Sequence, residues 1–339
     1  MRILYHIDYL KGLGADRWIY EGYKHAFEDK GHEVFPLTEN DDMEERLKEI
    51  NPHIFIAHQS QINFKNFKIF NDAKKRGTKI FQQVDFLIFN DLVKLELVKK
   101  GIGDFYWDEA DEERMEKLGF SRITGHKFFE IPNAANVKYN FPSHPVEKYK
   151  CDIVFLGAYM SEKKEGFKKM LYPLMKKYDV KVYGPGWTLR DNFFRGIGKI
   201  ARKVGIVFIA DFVNKKRITI PQEDESKLYA SAKICINFHV RGKDGIDYAL
   251  VNERAFKIPA SGGFEISDNI PSLRRYFTED EVVMAENEKN WFDKIDFFIK
   301  NDKERLRIQK NGTERALKDH TYHNRVDKII MIYNSINNK

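Results

Sequence analysis

The chain has 339 residues, enough for two domains of roughly 150 residues each. Its hydrophobic content of 42% excludes a wholly disordered protein, and its two cysteines exclude a disulfide scaffold and favour a reducing cytoplasm. The net charge of +7 fits a lysine-rich surface as well as attraction to phosphorylated ligands, an anionic membrane or nucleic acid. No apolar run approaches the roughly 18 residues of a membrane-spanning helix, and the opening MRILYHIDYL predicts a buried strand rather than a signal peptide.

Strand and helix patterns alternate along the N-terminal half. The apolar run Arg2–Ile7, followed by Gly12 and Gly14, predicts a first strand that enters a loop. Apolar residues have helical spacing over Asp16–Lys30, and Gly31 is a typical helix stop. The further predicted elements are a helix at Met43–Ile50 and strands at Val34–Pro36, Ile54–Ala57, Lys79–Val84 and Phe128–Ile131. This alternation predicts a parallel sheet with helices on both faces.

The segment Pro132–Tyr149 interrupts this alternation, because it contains three prolines and three asparagines without any periodicity. A second series follows it, with strands at Cys151–Gly157, Asp179–Trp187 and Lys233–Phe238 and helices at Glu225–Ala232 and near Leu250. The predicted domains are residues 1–135, a linker at 136–149, residues 150–320, and a final helix at 321–339 that could pack back on the first domain. The predicted fold is α/β, with two Rossmann-like domains that face each other across a cleft. Ligands of such sheets bind beyond the carboxyl ends of the strands, so we expect the site in that cleft.

The C-terminal half carries the strongest chemical signal, between residues 227 and 269. A strand that ends at Phe238 is followed by a polar loop with glycines, and its candidate binding residues are His239 and Arg241. Such a loop before a helix favours a phosphate group, because free backbone N–H groups and the helix dipole point at it.

The helix after this loop is predicted to begin near Tyr248 and to carry Glu253, Arg254 and Lys257 within one turn. Glu253 and Lys257 are four residues apart and share one face, and the helix is predicted to end at Gly262–Gly263. The pattern also fits an ordinary surface ion pair, which contributes only about 0.2–0.5 kcal/mol, followed by an ordinary helix stop. Both interpretations stay open at this point.

Five motifs follow one another between residues 151 and 333: FLG at Phe155–Gly157, YGPGW at Tyr183–Trp187, LYASAKICINFH, NERAFKIPASGGFEISDN and TYHNR. Together they resemble bacterial family 1-type glycosyltransferases of the spore-maturation-protein kind. The resemblance implies a GT-B fold, a hexosyltransferase-type activity and a nucleotide-diphosphate sugar as donor substrate, held mainly by the C-terminal domain, with no separate cofactor. The donor-binding residues that it implies are Gly157, Tyr183, Gly184, His239, Arg241, Glu253, Lys257, Gly262 and Gly263.

The chain departs from this family at one position. The family carboxylate after Arg-x-Phe, which contacts the nucleotide ribose in related retaining enzymes, is replaced here by Lys257. A lysine cannot accept a hydrogen bond from a ribose hydroxyl. Either Glu253, one turn earlier, takes that role, or the donor is held differently, so the stereochemical outcome of transfer stays open.

The sequence contains neither an Asp-x-Asp pair nor an HExxH motif, so we expect the reaction to be independent of metal ions. Negative charge on a departing diphosphate then needs arginine, lysine and backbone N–H groups. The candidates are Arg254, placed among the catalytic residues, together with Arg241, Lys257 and the Gly242–Gly245 loop.

We expect the N-terminal domain to hold the acceptor and the general base. Gly12 and Gly14 would let a ligand approach the backbone closely, although a plain tight turn explains them equally well. His58 and Asp85 each follow a predicted strand and are candidate catalytic bases for an acceptor hydroxyl. Each of the two also fits a capping role.

Other functions remain open from the sequence. A nucleotide-sugar epimerase, or a phosphorylase with lysine-bound pyridoxal phosphate, would use the same architecture. The basic charge, clustered at Lys163–Lys169 and between Arg190 and Lys203, fits a nucleic-acid-binding protein, and sugar transfer onto modified DNA would combine both signals. The possible acceptors are a glycan, a lipid-linked glycan or a modified nucleic acid. The expected location is the cytoplasm, with peripheral contact at the inner membrane face as an option.

Overall fold

Residues 1–240 and 250–337 are described by a computed structural model. The chain divides into two units by its internal contacts. Unit 1 comprises Met1–Leu10, Gly14–Asn133 and Tyr322–Lys339, and unit 2 comprises Lys11–Leu13 and Ala134–Thr321. Each unit is built on one parallel sheet with helices packed against it, so the predicted α/β fold with two Rossmann-like domains is confirmed.

The sheet of unit 1 has the strand order β2-β1-β3-β4-β5-β6, and all its pairings are parallel. Its strands are β1 (Arg2–His6), β2 (Glu33–Leu37), β3 (Ile54–Ala57), β4 (Lys79–Gln83), β5 (Phe105–Asp108) and β6 (Phe128–Glu130). The helices between them are α1 (Ala15–Asp29), α2 (Met43–Ile50), α3 (Phe64–Lys75), α4 (Leu92–Lys99), α5 (Glu112–Lys117) and α6 (Phe120–Thr124). Four of these helices begin after a side chain that accepts a bond from a first-turn N–H, namely Asp42, Asn63, Asp91 and Asp111.

The sheet of unit 2 has the strand order β11-β10-β9-β7-β8, also parallel. Its strands are β7 (Cys151–Leu156), β8 (Val180–Tyr183), β9 (Ala232–Asn237), β10 (Glu265–Ser267) and β11 (Val283–Met284). Its helices are α7 (Lys164–Gly166), which continues as a π-helical turn, α8 (Leu189–Lys203), α9 (Val207–Arg217), α10 (Glu225–Ser231), α11 (Arg254–Ala260), α12 (Glu288–Lys300) and α13 (Asp302–Asp319). One core cluster lies between the sheet and α12, around Phe155, Phe238 and Trp291.

Several elements of the fold are absent from the predicted ones, including β5 and the pair α8 and α9. The aromatic run of β5 ends in an aspartate and leads into the largely acidic segment 109–113, so it was not recognised as a strand. Helices α8 and α9 were hidden because the apolar run Val204–Ala210 crosses the turn at Gly205, which has a positive φ of 79°. None of the helices in the described part of the chain is long and apolar enough to cross a membrane.

The chain returns to unit 1 with its final helix, α14 (Tyr322–Asn337), which packs on α1. The ring of Tyr322 lies edge-on to Tyr23, with 4.9 Å between centroids, and fills the space beside Gly22. Arg325 donates to the backbone oxygens of Pro132 (2.9 Å) and Asn133 (3.0 Å), which follow β6. The final helix therefore supplies hydrogen bonds to two backbone carbonyl groups that lie beyond the end of strand β6.

Gly22 is the position at which this docking leaves least room, because a Cβ there would lie 2.2 Å from Tyr322 Cδ2. We expect Gly22→Ala to lower the free energy of unfolding by about 1–3 kcal/mol through overpacking, although alanine normally favours a helix over glycine. Gly166→Ala is the control, since that helical glycine has open space around its Cβ. Thermal and urea unfolding measure both variants, and a Gly22→Ala protein as stable as the parent would contradict the close packing.

Candidate functional site

Arg254, the first residue of α11, joins the carboxyl ends of two neighbouring strands in unit 2. Its Nη1 donates to the carbonyl oxygen of Leu156 at the end of β7 (2.9 Å), and its Nη2 donates to that of Phe238 after β9 (2.9 Å). Its Nε donates to Oδ1 of Asn237 (3.1 Å). All three partners are neutral oxygens, and these bonds occupy three of the five guanidinium N–H groups. The remaining positive charge lies where open α/β sheets bind their ligands.

The glycines of the FLG and YGPGW motifs make this arrangement possible. A Cβ on Gly157 would lie 2.0 Å from Nη1 of Arg254, and a Cβ on Gly184 would lie 2.3 Å from the carbonyl oxygen of Gly157. Gly184 also has a φ of +120°, which side-chain-bearing residues rarely adopt. The Tyr183 carbonyl accepts from the Gly157 N–H (2.9 Å), and the Trp187 indole donates to the Gly157 carbonyl (2.7 Å). Both motifs therefore keep the backbone close to Arg254.

Lys163 supplies a second cation at the same place. Its Nζ donates to the Phe238 carbonyl oxygen (2.7 Å), the oxygen that also accepts from Arg254. Burial, followed by the charge of Arg254, lowers the pKa of Lys163 to about 7, against the opposing effect of Asp268. Sequence reasoning placed Lys163 only within a basic cluster, and its position six residues after Gly157 was the available signal.

His239 is held by Asp268. The Nδ1 of His239 lies 2.6 Å from Oδ1 of Asp268, and the backbone N–H of His239 donates to the same carboxylate. Burial lowers the pKa of His239, assisted by the charges of Arg254 and Lys163 and opposed by Asp268. The imidazole is therefore neutral near pH 7, with Nδ1–H donating to Asp268. Its Nε2 is buried and has no hydrogen-bond partner among residues 1–240 and 250–337, so its lone pair can accept from a ligand.

Two more buried side chains near Arg254 carry an unsatisfied polar atom. One carboxylate oxygen of Glu265 accepts from Asn237 Nδ2 (2.9 Å), while Oε2 has no partner in the described part of the chain, and burial raises the pKa of Glu265 to about 8. The hydroxyl of Tyr229 is also buried, and no described residue bonds to it. Both side chains act electrostatically on Arg254. Buried polar groups are normally satisfied, so such a cluster is typical of a functional site.

Glu253 and Lys257 form a buried ion pair rather than an exposed one. The Nζ of Lys257 lies 3.3 Å from Oε2 of Glu253 and 3.3 Å from Oε2 of Glu225 in α10, and each of the three residues is 7–9% exposed. Burial lowers the pKa of Lys257, but the two carboxylates outweigh it and leave the pKa raised. Lys257 thus holds both carboxylates in place, which the sequence left open.

The helix that carries this pair is shorter than expected. Helix α11 begins at Arg254, and residues 250–252 have no helical structure, so the predicted start near Leu250 is wrong. Gly262 has a φ of +73°, and the N–H groups of Gly262 and Gly263 donate to the carbonyls of Pro259 and Ile258. These bonds form a Schellman-type helix end, so both glycines stop the helix, and their contact with a donor stays a prediction.

The candidate bases in unit 1 both cap short 3₁₀ helices. Nδ1 of His58 accepts from the Ser60 N–H (3.2 Å), and Oδ1 of Asp85 accepts from the Leu87 N–H (2.9 Å). Gly14 is the N-cap of α1 and has room for a side chain, and Gly12 lies in the loop before it. The capping interpretation therefore has direct support, and a catalytic role for either side chain stays a prediction.

Asp108, at the end of β5, is a titratable group that sequence reasoning missed together with its strand. It is buried and accepts a hydrogen bond from Gln83 Nε2 (2.8 Å). Burial raises the pKa of Asp108 to about 7, with a further contribution from the charge of Asp85. The only signal for it was an acidic residue after an aromatic run.

Arg241 and the Gly242–Gly245 loop, both named as candidates from the sequence, lie outside the described residues. Within residues 1–240 and 250–337, no group of three or more His, Cys, Asp or Glu side chains could hold a metal ion. At the carboxyl ends of β7 and β9, the cations of Arg254 and Lys163 lie together.

The architecture is that of the GT-B proteins, and solved structures of that class share it over nearly the whole chain. A glycosyltransferase from Rickettsia africae ESF-5 matches with a TM-score of 0.66 and 14% identity, over 99% of this chain and 98% of the other. Anabaena Alr3699/HepE in complex with UDP and glucose matches with a TM-score of 0.64 and 9% identity, over 99% and 100%. An α-glucosyltransferase in complex with UDP and a 13-mer DNA matches with a TM-score of 0.62 and 9% identity, over 98% and 99%.

Residues 163–331 match the family model described as glycosyl transferase-like. This part of the chain is therefore similar to glycosyl transferase-like proteins, which supports the coarser part of the resemblance drawn from the motifs. Comparison with the curated protein sequences gives no significant match.

Glu225, Glu253 and Lys257 form a buried triad, and removing its cation should strongly reduce the stability of the fold. We expect Lys257→Met to lower the free energy of unfolding by about 3–5 kcal/mol, because two buried carboxylates lose the cation that they share. The matched control is Lys310→Met, which removes an exposed lysine paired with Glu314 at the same four-residue spacing and should cost under about 1 kcal/mol. Urea unfolding measures both variants. Equal losses in the free energy of unfolding would show that the buried triad contributes no more to stability than a surface pair.

Proposed function

We propose that the chain is a glycosyltransferase that takes a nucleotide-diphosphate sugar as donor and binds the diphosphate in unit 2. The observation that carries this proposal is the convergence of Arg254 and Lys163 on the single carbonyl oxygen of Phe238. Because their shared acceptor is neutral, it does not cancel the positive charge of the two side chains, which can then attract an anionic ligand. Charge-assisted hydrogen bonds to phosphate are stronger than hydrogen bonds between neutral groups. A hexosyltransferase of the spore-maturation-protein kind is the finer form of this proposal.

The reaction requires a place for negative charge. The acceptor oxygen attacks the anomeric carbon, the bond between that carbon and the β-phosphate oxygen breaks, and the nucleoside diphosphate leaves with the bonding electrons. Arg254 and Lys163 would stabilise the charge that develops on this leaving group, so the proposal includes no metal ion. The acceptor proton passes to a base.

Polar side-chain atoms near Arg254 are suited to bind the sugar and ribose hydroxyls of the donor. Nε2 of His239 would accept a hydrogen bond from a sugar or ribose hydroxyl, with Asp268 fixing the tautomer. Glu253, held by Lys257, would accept the ribose hydroxyls in place of the family carboxylate. The UDP and glucose bound by Anabaena Alr3699/HepE make UDP-sugars the first donors to test.

The acceptor and its base are assigned to unit 1. Besides His58 and Asp85, Asp108 is a candidate base, since a carboxyl with a pKa of about 7 can take a proton near neutral pH. The DNA in the α-glucosyltransferase complex supports including DNA, beside glycans and lipid-linked glycans, in an acceptor screen. The free, buried cysteines, Cys151 and Cys235, fit the proposed cytoplasmic location.

The alternative is a nucleotide-sugar epimerase with the same donor site. An epimerase converts its nucleotide sugar without an acceptor, whereas a transferase releases nucleoside diphosphate in proportion to glycosylated acceptor. Product analysis of one nucleotide sugar with and without acceptor separates the two activities.

The role of Arg254 leads to a direct test. We expect Arg254→Ala to weaken binding of UDP, the first probe, at least tenfold and to reduce kcat/KM for transfer roughly 10²-fold, because the stabilisation of the leaving group is lost. Arg190→Ala, which removes an exposed arginine of unit 2, is the control. Calorimetry and a transfer assay in EDTA measure these effects. An unchanged kcat/KM would contradict the assignment, and a strict need for Mn²⁺ or Mg²⁺ would contradict the metal-free mechanism.

The lowered pKa of Lys163 leads us to expect that donor binding depends on pH. Its pKa of about 7 in the free protein means that, above pH 7, binding a diphosphate must first protonate the amine. We therefore expect the Kd for UDP-glucose to rise above pH 7, by up to about tenfold per pH unit, with uptake of a proton. Lys163→Arg keeps its charge and should give a flat profile, because arginine stays protonated. Calorimetry between pH 6 and 9 in two buffers measures both effects, and a flat wild-type profile would contradict this role.

A further inference from the structure

The connection between β8 and β9 exposes large apolar side chains. We define the helical hairpin as residues 188–218, which contain α8 and α9 joined through Gly205. Leu189 is 90% exposed, Phe208 74% and Phe193 67%, and Ile200 and Phe212 are also mostly exposed. An exposed apolar patch of this kind is typical of an interaction surface.

The hairpin does not need these side chains for its own packing. The buried residues between its two helices are small or medium-sized: Gly198, Ala201, Ala210 and Val213. At its base, Asp191 accepts two bonds from Arg217, at 2.8 Å and 3.1 Å. A helix of a globular protein normally buries its large apolar residues, and in this hairpin many of them face outward.

The large exposed apolar residues of α8, together with Val204 directly after it, form one stripe. At 100° per residue, Leu189, Phe193, Ile200 and Val204 lie within about 60° of one another around the helix axis. Helix α9 adds the exposed side chains of Phe208 and Phe212, one turn apart. Both helices of the hairpin therefore align exposed apolar side chains along their length rather than scattering them.

The hairpin also carries most of the net charge of the chain. Residues 188–218 contain eight lysines and arginines and two aspartates, a net charge of +6 out of +7 for the whole chain. The guanidinium of Arg190 lies 5.5 Å from the ring centre of Phe194, and Nζ of Lys216 lies 5.5 Å from that of Phe212. Basic groups therefore border the apolar stripe, and their long stems allow the charges to stay at a polar surface while the rings insert.

We propose that the helical hairpin docks this protein on an anionic lipid bilayer. Its apolar stripe would enter the region between headgroups and acyl chains while its basic residues contact the anionic headgroups, the pattern of helices that lie in a membrane interface. A second copy is a poor occupant because two hairpins of +6 repel each other. Nucleic acid would match the charge but would leave the stripe of leucine, isoleucine and phenylalanine unmatched. This proposal does not depend on the donor site.

The test uses the full chain and vesicles without any sugar donor. We expect the protein to sediment with phosphatidylglycerol-containing vesicles and to stay in solution with phosphatidylcholine alone. The triple variant Phe193→Gln, Phe208→Gln and Phe212→Gln should bind at least tenfold more weakly. Its control replaces three exposed apolar residues elsewhere, Phe64→Gln, Leu92→Gln and Leu306→Gln, and should bind like the parent.

The charges and the insertion are tested separately. Arg195→Gln, Lys199→Gln and Lys203→Gln should together weaken binding roughly a hundredfold, at roughly fivefold for each charge. The matched charge control is Lys75→Gln, Lys117→Gln and Lys310→Gln, which are exposed lysines outside the hairpin. A tryptophan introduced by Phe208→Trp should be quenched by brominated lipids, while one introduced by Phe64→Trp should not.

Several results would overturn the proposal. One is the absence of sedimentation with anionic vesicles, and another is equal binding by the hairpin variant and its control. Tight binding to a DNA duplex without binding to vesicles would assign the charge to nucleic acid. Sedimentation velocity tests for self-association. If the wild-type protein is a dimer and the triple apolar variant is a monomer, the stripe serves self-association instead.

Discussion

The hydrogen bonding of Arg254 is the constraint on which the arrangement of unit 2 depends. Its guanidinium satisfies carbonyl oxygens at the ends of β7 and β9, and it can do so only because Gly157 and Gly184 have no side chains. A half-buried arginine whose hydrogen-bond partners are neutral is costly unless its charge meets an anionic ligand. The strand ends, the two glycine motifs and the start of α11 are therefore fixed by one side chain.

Around that side chain, the unit keeps polar groups that a purely structural core would avoid. His239, Glu265 and Tyr229 each have a buried polar atom that no residue of the described ranges satisfies, and such an atom costs stability. The triad of Glu225, Glu253 and Lys257 adds charges that are paired but desolvated. Such features reduce stability relative to an apolar core, and they are placed beside the cations proposed to bind a diphosphate.

Two surfaces of unit 2, the sheet edge around Arg254 and the helical hairpin, suit two different kinds of ligand. At the sheet edge, a few buried groups with fixed geometry suit a small anionic ligand. On the hairpin, many exposed apolar and basic side chains suit an extended surface, where charge and apolar area act together. Under the two proposals, the donor binds at the sheet edge and the hairpin meets the lipid surface.

The sequence by itself determined the class of fold and the motifs that surround Arg254. Periodicity and glycine stops are local properties, so the alternation of strands and helices could be predicted before any contact was known. Strand β5 was missed because its aromatic run ends in an aspartate and leads into the largely acidic segment 109–113. For the same reason Asp108, at its end, could not be recognised.

Only the tertiary structure decided which side chains meet. Lys163, Phe238 and Arg254 come from segments far apart in the chain, and parallel crossovers bring them to one sheet edge. Sequence spacing showed that Glu253 and Lys257 share a helix face but not whether that face is buried, since burial depends on α10 supplying Glu225. Likewise the apolar residues of the hairpin could have been core or surface, because hydrophobicity is a local property while exposure depends on what packs against it.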